Sequence, residues 1–180
     1  MAFAKRLGVT GEKARFSAVD GMHEASMDEN GIVSLKMADV KEISTINNDS
    51  FLHTGSPHYV KEVNDLAHYD VKSEGKKIRN SEMFRETGTN VNFIENTGDG
   101  LFVRTYERGV EDETLSCGTG VTAAALVAVV RGLCPDKNFC HIHTPGGRLT
   151  VTFEKVLEHN FYNIWLHGPA VMVYEGTILI

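Results

Sequence analysis

The sequence has no dense run of lysine or arginine. Its closest basic groupings are the pairs Lys5-Arg6 and Lys76-Lys77, and the formal net charge of the 180 residues is −6. Nucleic acid and anionic membrane both call for a basic face, so neither is expected as a partner, and the two pairs read as solvated surface. Long hydrophobic stretches are also missing. The longest apolar run, residues 121–130, is short, alanine-rich and interrupted by Thr122, so no segment is expected to span a membrane. Residues 1–8 lack a charged segment followed by an apolar one and do not read as a signal peptide. Cysteine is scarce: Cys117, Cys134 and Cys140 are an odd count without regular spacing, which argues against a disulfide framework. A reducing, cytoplasmic setting with at least one free thiol is expected. Cys140 and His143 are too sparse for a metal site, and no metal or other cofactor is expected. There is no repeat of solenoid period and no low-complexity tract.

What is present suits a globular protein, with 42% hydrophobic and 23% charged residues. Residues 2–7 read as a helix stopped by Gly8, with no N-cap residue before it. A strand is expected at 14–19 with a turn at Asp20-Gly21. Residues 22–27 and 32–37 flank Asp28-Glu29-Asn30-Gly31, where Asn30-Gly31 signals a hairpin whose two central residues both take positive φ. Residues 40–52 are polar and weakly patterned, and a domain boundary is placed there. Gly55-Ser56-Pro57-His58 reads as a turn leading into a strand at 59–63, and 65–80 holds a short helix. Strands follow at 89–95 and 101–107. Residues 119–131, ended by Gly132, form the best helix in the chain. A hairpin over 138–153 and last strands at 163–167 and 170–174 complete an α+β reading with mixed or antiparallel sheet around helices.

Chemistry gathers at Cys117. This residue stands just before the alanine-rich helix, whose N-terminal partial positive charge favours a thiolate and lowers a cysteine pKa. Gly118-Thr119-Gly120 leaves backbone N–H groups open to a carboxylate. No lysine follows these glycines, as a phosphate-binding P-loop requires. Ala123, Ala124 and Ala125 let the helix be closely surrounded, which fixes its end. Just upstream, Glu107 can meet an ammonium group and Arg108 a carboxylate. The bland alternatives stay open at this level: a small buried cysteine, and a solvated Glu107-Arg108 pair.

Tyr106-Glu107-Arg108-Gly109, followed by Glu113-Thr114, Cys117-Gly118-Thr119-Gly120 and an alanine-rich helix, resembles diaminopimelate epimerase. Supporting likenesses are Gly55-Ser56-Pro57-His58, Thr89-Asn90-Val91-Asn92-Phe93, Thr144-Pro145-Gly146-Gly147 and Gly168-Pro169-Ala170-Val171. The resemblance implies a lobe in which mixed and antiparallel sheet wraps a central helix. It divides the chain into 1–40, a remnant of a first lobe, 41–167, a complete second lobe, and 168–180, a last strand returning to the first. It implies a pyridoxal-phosphate-independent epimerase that interconverts LL- and meso-2,6-diaminopimelate by a two-thiol proton transfer, in lysine and cell-wall synthesis. A homodimer is implied as well. Cys117 is one catalytic thiol by this likeness, with His58 and Glu107 at the reacting centre. Gly118 and Thr119 hold the substrate's α-carboxylate, and Ser56, Asn90, Glu107 and Arg108 contact the substrate.

The sequence departs from the family in three respects. Ser56 stands where the family has asparagine, and one extra residue separates Glu107 from Cys117. The Cys-Gly-Asn-Gly segment that carries the partner thiol has no match in the 180 residues, so the chain is expected to be shortened and inactive alone. The rival readings are a proline-racemase-like isomerase, a thiol-free isomerase related to phenazine synthesis, and a silent amino-acid-binding or assembly module.

Overall fold

The alanine-rich helix is hydrophobic all round, and such a helix is stable only when enclosed. In the computed structural model, which describes residues 1–18, 21–136 and 138–178, it is enclosed by a single twelve-stranded sheet among those residues. The chain opens with α1 (Ala2–Arg6), β1 (Lys13–Ala18), β2 (Gly21–Met27) and β3 (Ile32–Lys36). It continues through β4 (Ser44–Ile46), β5 (Asp49–His53), β6 (Pro57–Glu62), α2 (Val71–Arg79), β7 (Asn90–Asn96), β8 (Leu101–Glu107) and β9 (Asp112–Thr114). The enclosed helix is α3 (Gly118–Val130), followed by β10 (Phe139–Thr144), β11 (Gly147–Leu157) and β12 (Asn160–Pro169). Strand order is β1-β2-β3-β12-β11-β10-β8-β7-β6-β5-β4, with β9 on β8. Two pairs are parallel, β6 with β7 and β8 with β10. Parallel neighbours need a long crossover, and α2 and α3 respectively lie in those two connections.

Period-2 alternation sends each strand's side chains to two faces. Val60, Ile94, Leu101 and Val103 join Val121, Leu126 and Val127 of α3 in the main core. Tyr59, Val91, Phe93 and Tyr106 point the other way into a second cluster with Leu66, Val71 and Phe84. Each fully buried aliphatic side chain contributes about 1.5–3 kcal/mol. Gly75 lets α2 lie flat on this second cluster, because a Cβ there would stand 2.3 Å from Tyr106 Cβ.

Strands β1 to β3 join the rest of the sheet through β3 on β12. Beyond β3, the Met37 N–H donates to the Ile164 carbonyl at 2.9 Å and Val40 pairs with Phe161. Both residues enter the core around α3.

The α+β class, the first helix and the central helix agree with the sequence reading, and five local features differ from it. The hairpin at Asn30-Gly31 forms, but Gly31 alone takes positive φ there. Asp28 Oδ1 accepts from the N–H groups of Asn30 and Ile32 at 3.0 and 2.8 Å, which closes a longer loop. The two-residue turn with both φ positive lies in the stretch that reads as unpatterned, at Asn47 (51°) and Asn48 (70°) between β4 and β5. His58 lies inside β6 rather than in a turn. Residues 170–178 hold no strand, and β9 is an additional one. The expected strand end at Val19 and turn at Asp20 lie outside the described residues. No helix among the described residues is long and apolar enough to cross a membrane.

Candidate functional site

Cys117 is the N-cap of α3, with extended φ −125° and ψ 111°. Its carbonyl accepts the first helical bond, from the Val121 N–H at 2.8 Å, so the amides of Gly118, Thr119 and Gly120 precede any helical acceptor. The residue is only 8% exposed. The expectation of a lowered thiol pKa does not hold. Burial pushes the thiol up and the Glu107 carboxylate adds to that. The Thr119 hydroxyl and the Gly120 and Thr119 amides pull it down without cancelling the effect. The helix terminus acts in the expected sense, and desolvation outweighs it.

The thiol begins a polar chain that runs from half-buried Thr119 and Ser56 to fully buried His58 and Asn92. Cys117 Sγ lies 3.5 Å from Thr119 Oγ1, which lies 3.2 Å from Ser56 Oγ. Ser56 Oγ meets His58 Nε2 at 2.9 Å, and His58 Nδ1 meets Asn92 Oδ1 at 2.8 Å. Asn92 Nδ2 donates to Thr105 Oγ1 at 2.7 Å. With its amide nitrogen committed to Thr105, Asn92 offers His58 only an oxygen. His58 therefore carries its proton on Nδ1 and presents a lone pair at Nε2. Burial holds the imidazole's pKa at about 4, with His53 and Arg108 lowering it further and the Asn92 bond opposing. His58 is thus neutral at physiological pH.

Two contacts fix the helix start against the strands. Thr54 Oγ1 donates to the Thr119 carbonyl at 2.9 Å. Gly120 admits Asn92, since a Cβ there would stand 2.3 Å from Asn92 Nδ2. Asn90 binds the neighbouring segments at both ends of its amide. Nδ2 donates to Ser56 Oγ and to the Pro57 carbonyl, each at 3.1 Å, and Oδ1 accepts from the Arg108 N–H at 2.9 Å. Glu107 Oε2 accepts from Thr114 Oγ1 at 3.0 Å, so β9 orients the carboxylate. Arg108 is exposed, and its Nη1 donates to the Thr87 carbonyl at 2.8 Å.

The structure thus gathers Ser56, His58, Asn90, Glu107, Arg108, Cys117, Gly118 and Thr119 at one helix end. Cys134 and Cys140 follow the other end of α3, whose 13 residues span about 20 Å. Asn92, Thr105, Thr54 and Thr114 take part in the same constellation and were not singled out as site residues from the sequence, whereas Gly120 belongs to the expected anion-binding turn. Asn92 left a signal there. It stands two residues after Asn90 in an alternating strand, on the face that Ile94 turns to the core, where an amide requires a partner.

Residues 50–173 match the family model described as diaminopimelate epimerase. The chain is 47% identical over 180 residues to the diaminopimelate epimerase of Flavobacterium psychrophilum, covering 99% of this chain and 69% of that protein. It is 38% identical over 186 residues to that of Aquifex aeolicus, covering 98% of this chain and 65% of the relative. Among solved structures, a phenazine biosynthesis protein of the PhzF family from Bacillus anthracis superposes with a TM-score of 0.73 at 14% identity. That match covers 99% of this chain and 73% of the other, and it shows a shared fold.

Proposed function

The chain belongs to the diaminopimelate epimerase family, and on that basis we propose that the Cys117 site inverts an amino-acid α-carbon without pyridoxal phosphate. The substrate is 2,6-diaminopimelate in its LL and meso forms. One observation supports this reading most directly. The buried Cys117 thiol stands at the N-terminus of α3, where the Thr119 and Gly120 amides favour its anion and the Glu107 carboxylate opposes it.

In this reading Cys117 acts as thiolate on one face of the α-carbon. Burial makes that thiolate a strong base, which suits a weakly acidic C–H, while the amides and the Thr119 hydroxyl offset part of the cost of forming it. The amides of Gly118 and Thr119 hold the α-carboxylate at the positive end of the helix, where negative charge developing on proton removal is offset. Glu107 takes the α-ammonium. Arg108 faces the distal, charged end of the substrate, and Asn90 and Ser56 border it. Neutral His58 serves through its Nε2 lone pair rather than as a cation.

Inversion needs an acid on the opposite face. Cys134 and Cys140 follow the far end of α3 and are not placed to supply it. Residues 1–40 and 168–180 then belong to one lobe and 41–167 to the other. A homodimer and a cytoplasmic setting are part of the same reading, and sedimentation of the purified chain tests the first. For the substrate, calorimetric titration of LL-diaminopimelate and of proline distinguishes the candidates. Heat with diaminopimelate alone, lost in Arg108→Ala, is expected. Heat with proline alone overturns the assignment.

A further inference from the structure

The polar chain at Cys117 has a direction, and Ser56 sets it. Ser56 Oγ has three neighbours: His58 Nε2 at 2.9 Å, Asn90 Nδ2 at 3.1 Å and Thr119 Oγ1 at 3.2 Å. A hydroxyl has one donor and two acceptor sites. His58 Nε2 offers only a lone pair, because Asn92 and Thr105 hold the imidazole proton on Nδ1. The Ser56 hydrogen therefore points to His58. Asn90 Nδ2 fills one Ser56 lone pair, and the other faces the Thr119 hydroxyl. With Thr119 donating to Ser56, its oxygen is open to the Cys117 S–H, 3.5 Å away.

We infer that the Thr119 hydroxyl is a two-position donor that sets how readily Cys117 gives up its proton. It is turned to Ser56 when the sulfur is a thiol and to the sulfur when it is a thiolate. This adds a role for the Thr119 side chain to the one proposed for its backbone amide, and it gives Ser56, which stands where the resemblance has asparagine, a part an amide side chain would fill differently. Ser56 acts as a positioning residue. It favours the thiol by accepting the Thr119 hydrogen, and it is held to that task by His58, Asn92 and Thr105. The charged groups facing this device are the Glu107 carboxylate from β8, which acts on the sulfur, and His53 and Arg108, which act on His58. None of them is altered by the two substitutions that test it.

Those substitutions have opposite expected signs. Thr119→Val keeps the shape and removes the donor, so the thiolate loses a hydrogen bond and the thiol becomes harder to ionise. Ser56→Ala removes the competing acceptor, so the Thr119 hydroxyl stays with the sulfur and the thiol ionises more readily. The measurement is the pH dependence of iodoacetamide alkylation, read by mass spectrometry on the tryptic peptide 109–131, which holds Cys117 and no other cysteine. At pH 7.5 Thr119→Val is expected to react about tenfold more slowly than the unaltered chain, the size of one hydrogen bond to a charged group. Ser56→Ala is expected to react about two- to fivefold faster, since the competing bond it removes is weaker. In the double variant the gain is expected to vanish. Shifts in the same direction, or none, overturn the inference, because loosening of the site moves both variants alike. The idea rests on Cys117 being the reactive thiol of the proposed function, yet alkylation needs no substrate. A wrong substrate therefore leaves this result untouched, and a failed sign test leaves the substrate assignment untouched.

Discussion

Asn92 Oδ1 stands 2.8 Å from His58 Nδ1, and this contact decides which nitrogen of a fully buried imidazole carries the proton. It ties a side chain on β7 to one on β6, beneath the first turn of α3. Removing the acceptor leaves a buried N–H without a partner. Asn92→Leu is therefore expected to destabilise the fold by about 1–3 kcal/mol, the cost of a buried unsatisfied donor. Thr105→Val, which removes an acceptor from Asn92 Nδ2, is expected to cost about 1 kcal/mol. Urea denaturation of both variants checks the order.

Gly120 tests the same contact from the helix side. Gly120→Ala places a Cβ 2.3 Å from Asn92 Nδ2, so either α3 or β7 must shift. The gain in helix propensity is smaller than the overpacking cost, and a net loss of about 1–3 kcal/mol is expected. Alanine at Gly132, which takes φ 73° with no atom within 4 Å of the added Cβ, is strained without crowding and is expected to cost about 1 kcal/mol. Thermal denaturation of the two variants separates crowding from strain.

Acid should weaken the fold through His58. Its folded pKa is lowered from 6.5 to about 4, so between those values the unfolded chain binds the extra proton and stability rises with pH. The contribution is complete above the unfolded pKa and is lost as pH falls through that window. Fully expressed, it amounts to about 3 kcal/mol. His58→Gln is expected to flatten this part of the stability–pH curve, which denaturant midpoints between pH 4 and 7 would show.

Glu107 raises the thiol's pKa, and in the proposed function it also binds the substrate ammonium. Glu107→Gln is therefore expected to divide two readouts that a general disturbance would move together. Alkylation of Cys117 near neutral pH should quicken a few-fold, and affinity for diaminopimelate should fall about tenfold or more. Paired alkylation rates and calorimetry on one preparation check this.

The sequence shows the central helix clearly, because a stretch from Val121 to Ala128 with no polar face can only be enclosed. Strands with clean alternation, such as β7 and β8, are legible for the related reason that one face must meet that helix. The β4–β5 hairpin is hidden. Its strands are short, and Asn47-Asn48 carries no glycine to announce positive φ. Residues 170–174 keep an apolar pattern but hold no strand, and among the described residues Ala170 alone of these bonds backbone to backbone, to the Gly31 carbonyl beside β3, so periodicity alone misleads. At the site, the residues near Cys117 are legible as a group. What one chain cannot show is how tightly the sulfur is enclosed, and that enclosure reverses the expected direction of its pKa. Alternation places Asn92 on the core face, but its partners His58 and Thr105 lie on other strands, and residue spacing does not encode those bonds.

The central claim is that Cys117 is the base that acts at the α-carbon. Incubating the 180-residue chain with LL-diaminopimelate in D₂O and following deuterium at the α-carbon by NMR tests it most directly, with Cys117→Ala and a Cys134→Ala, Cys140→Ala double variant alongside. The account predicts exchange in the unaltered chain and in the double variant, none in Cys117→Ala, and no accumulation of the meso form. Exchange that persists in Cys117→Ala, or that is absent from the folded, unaltered chain, would contradict it.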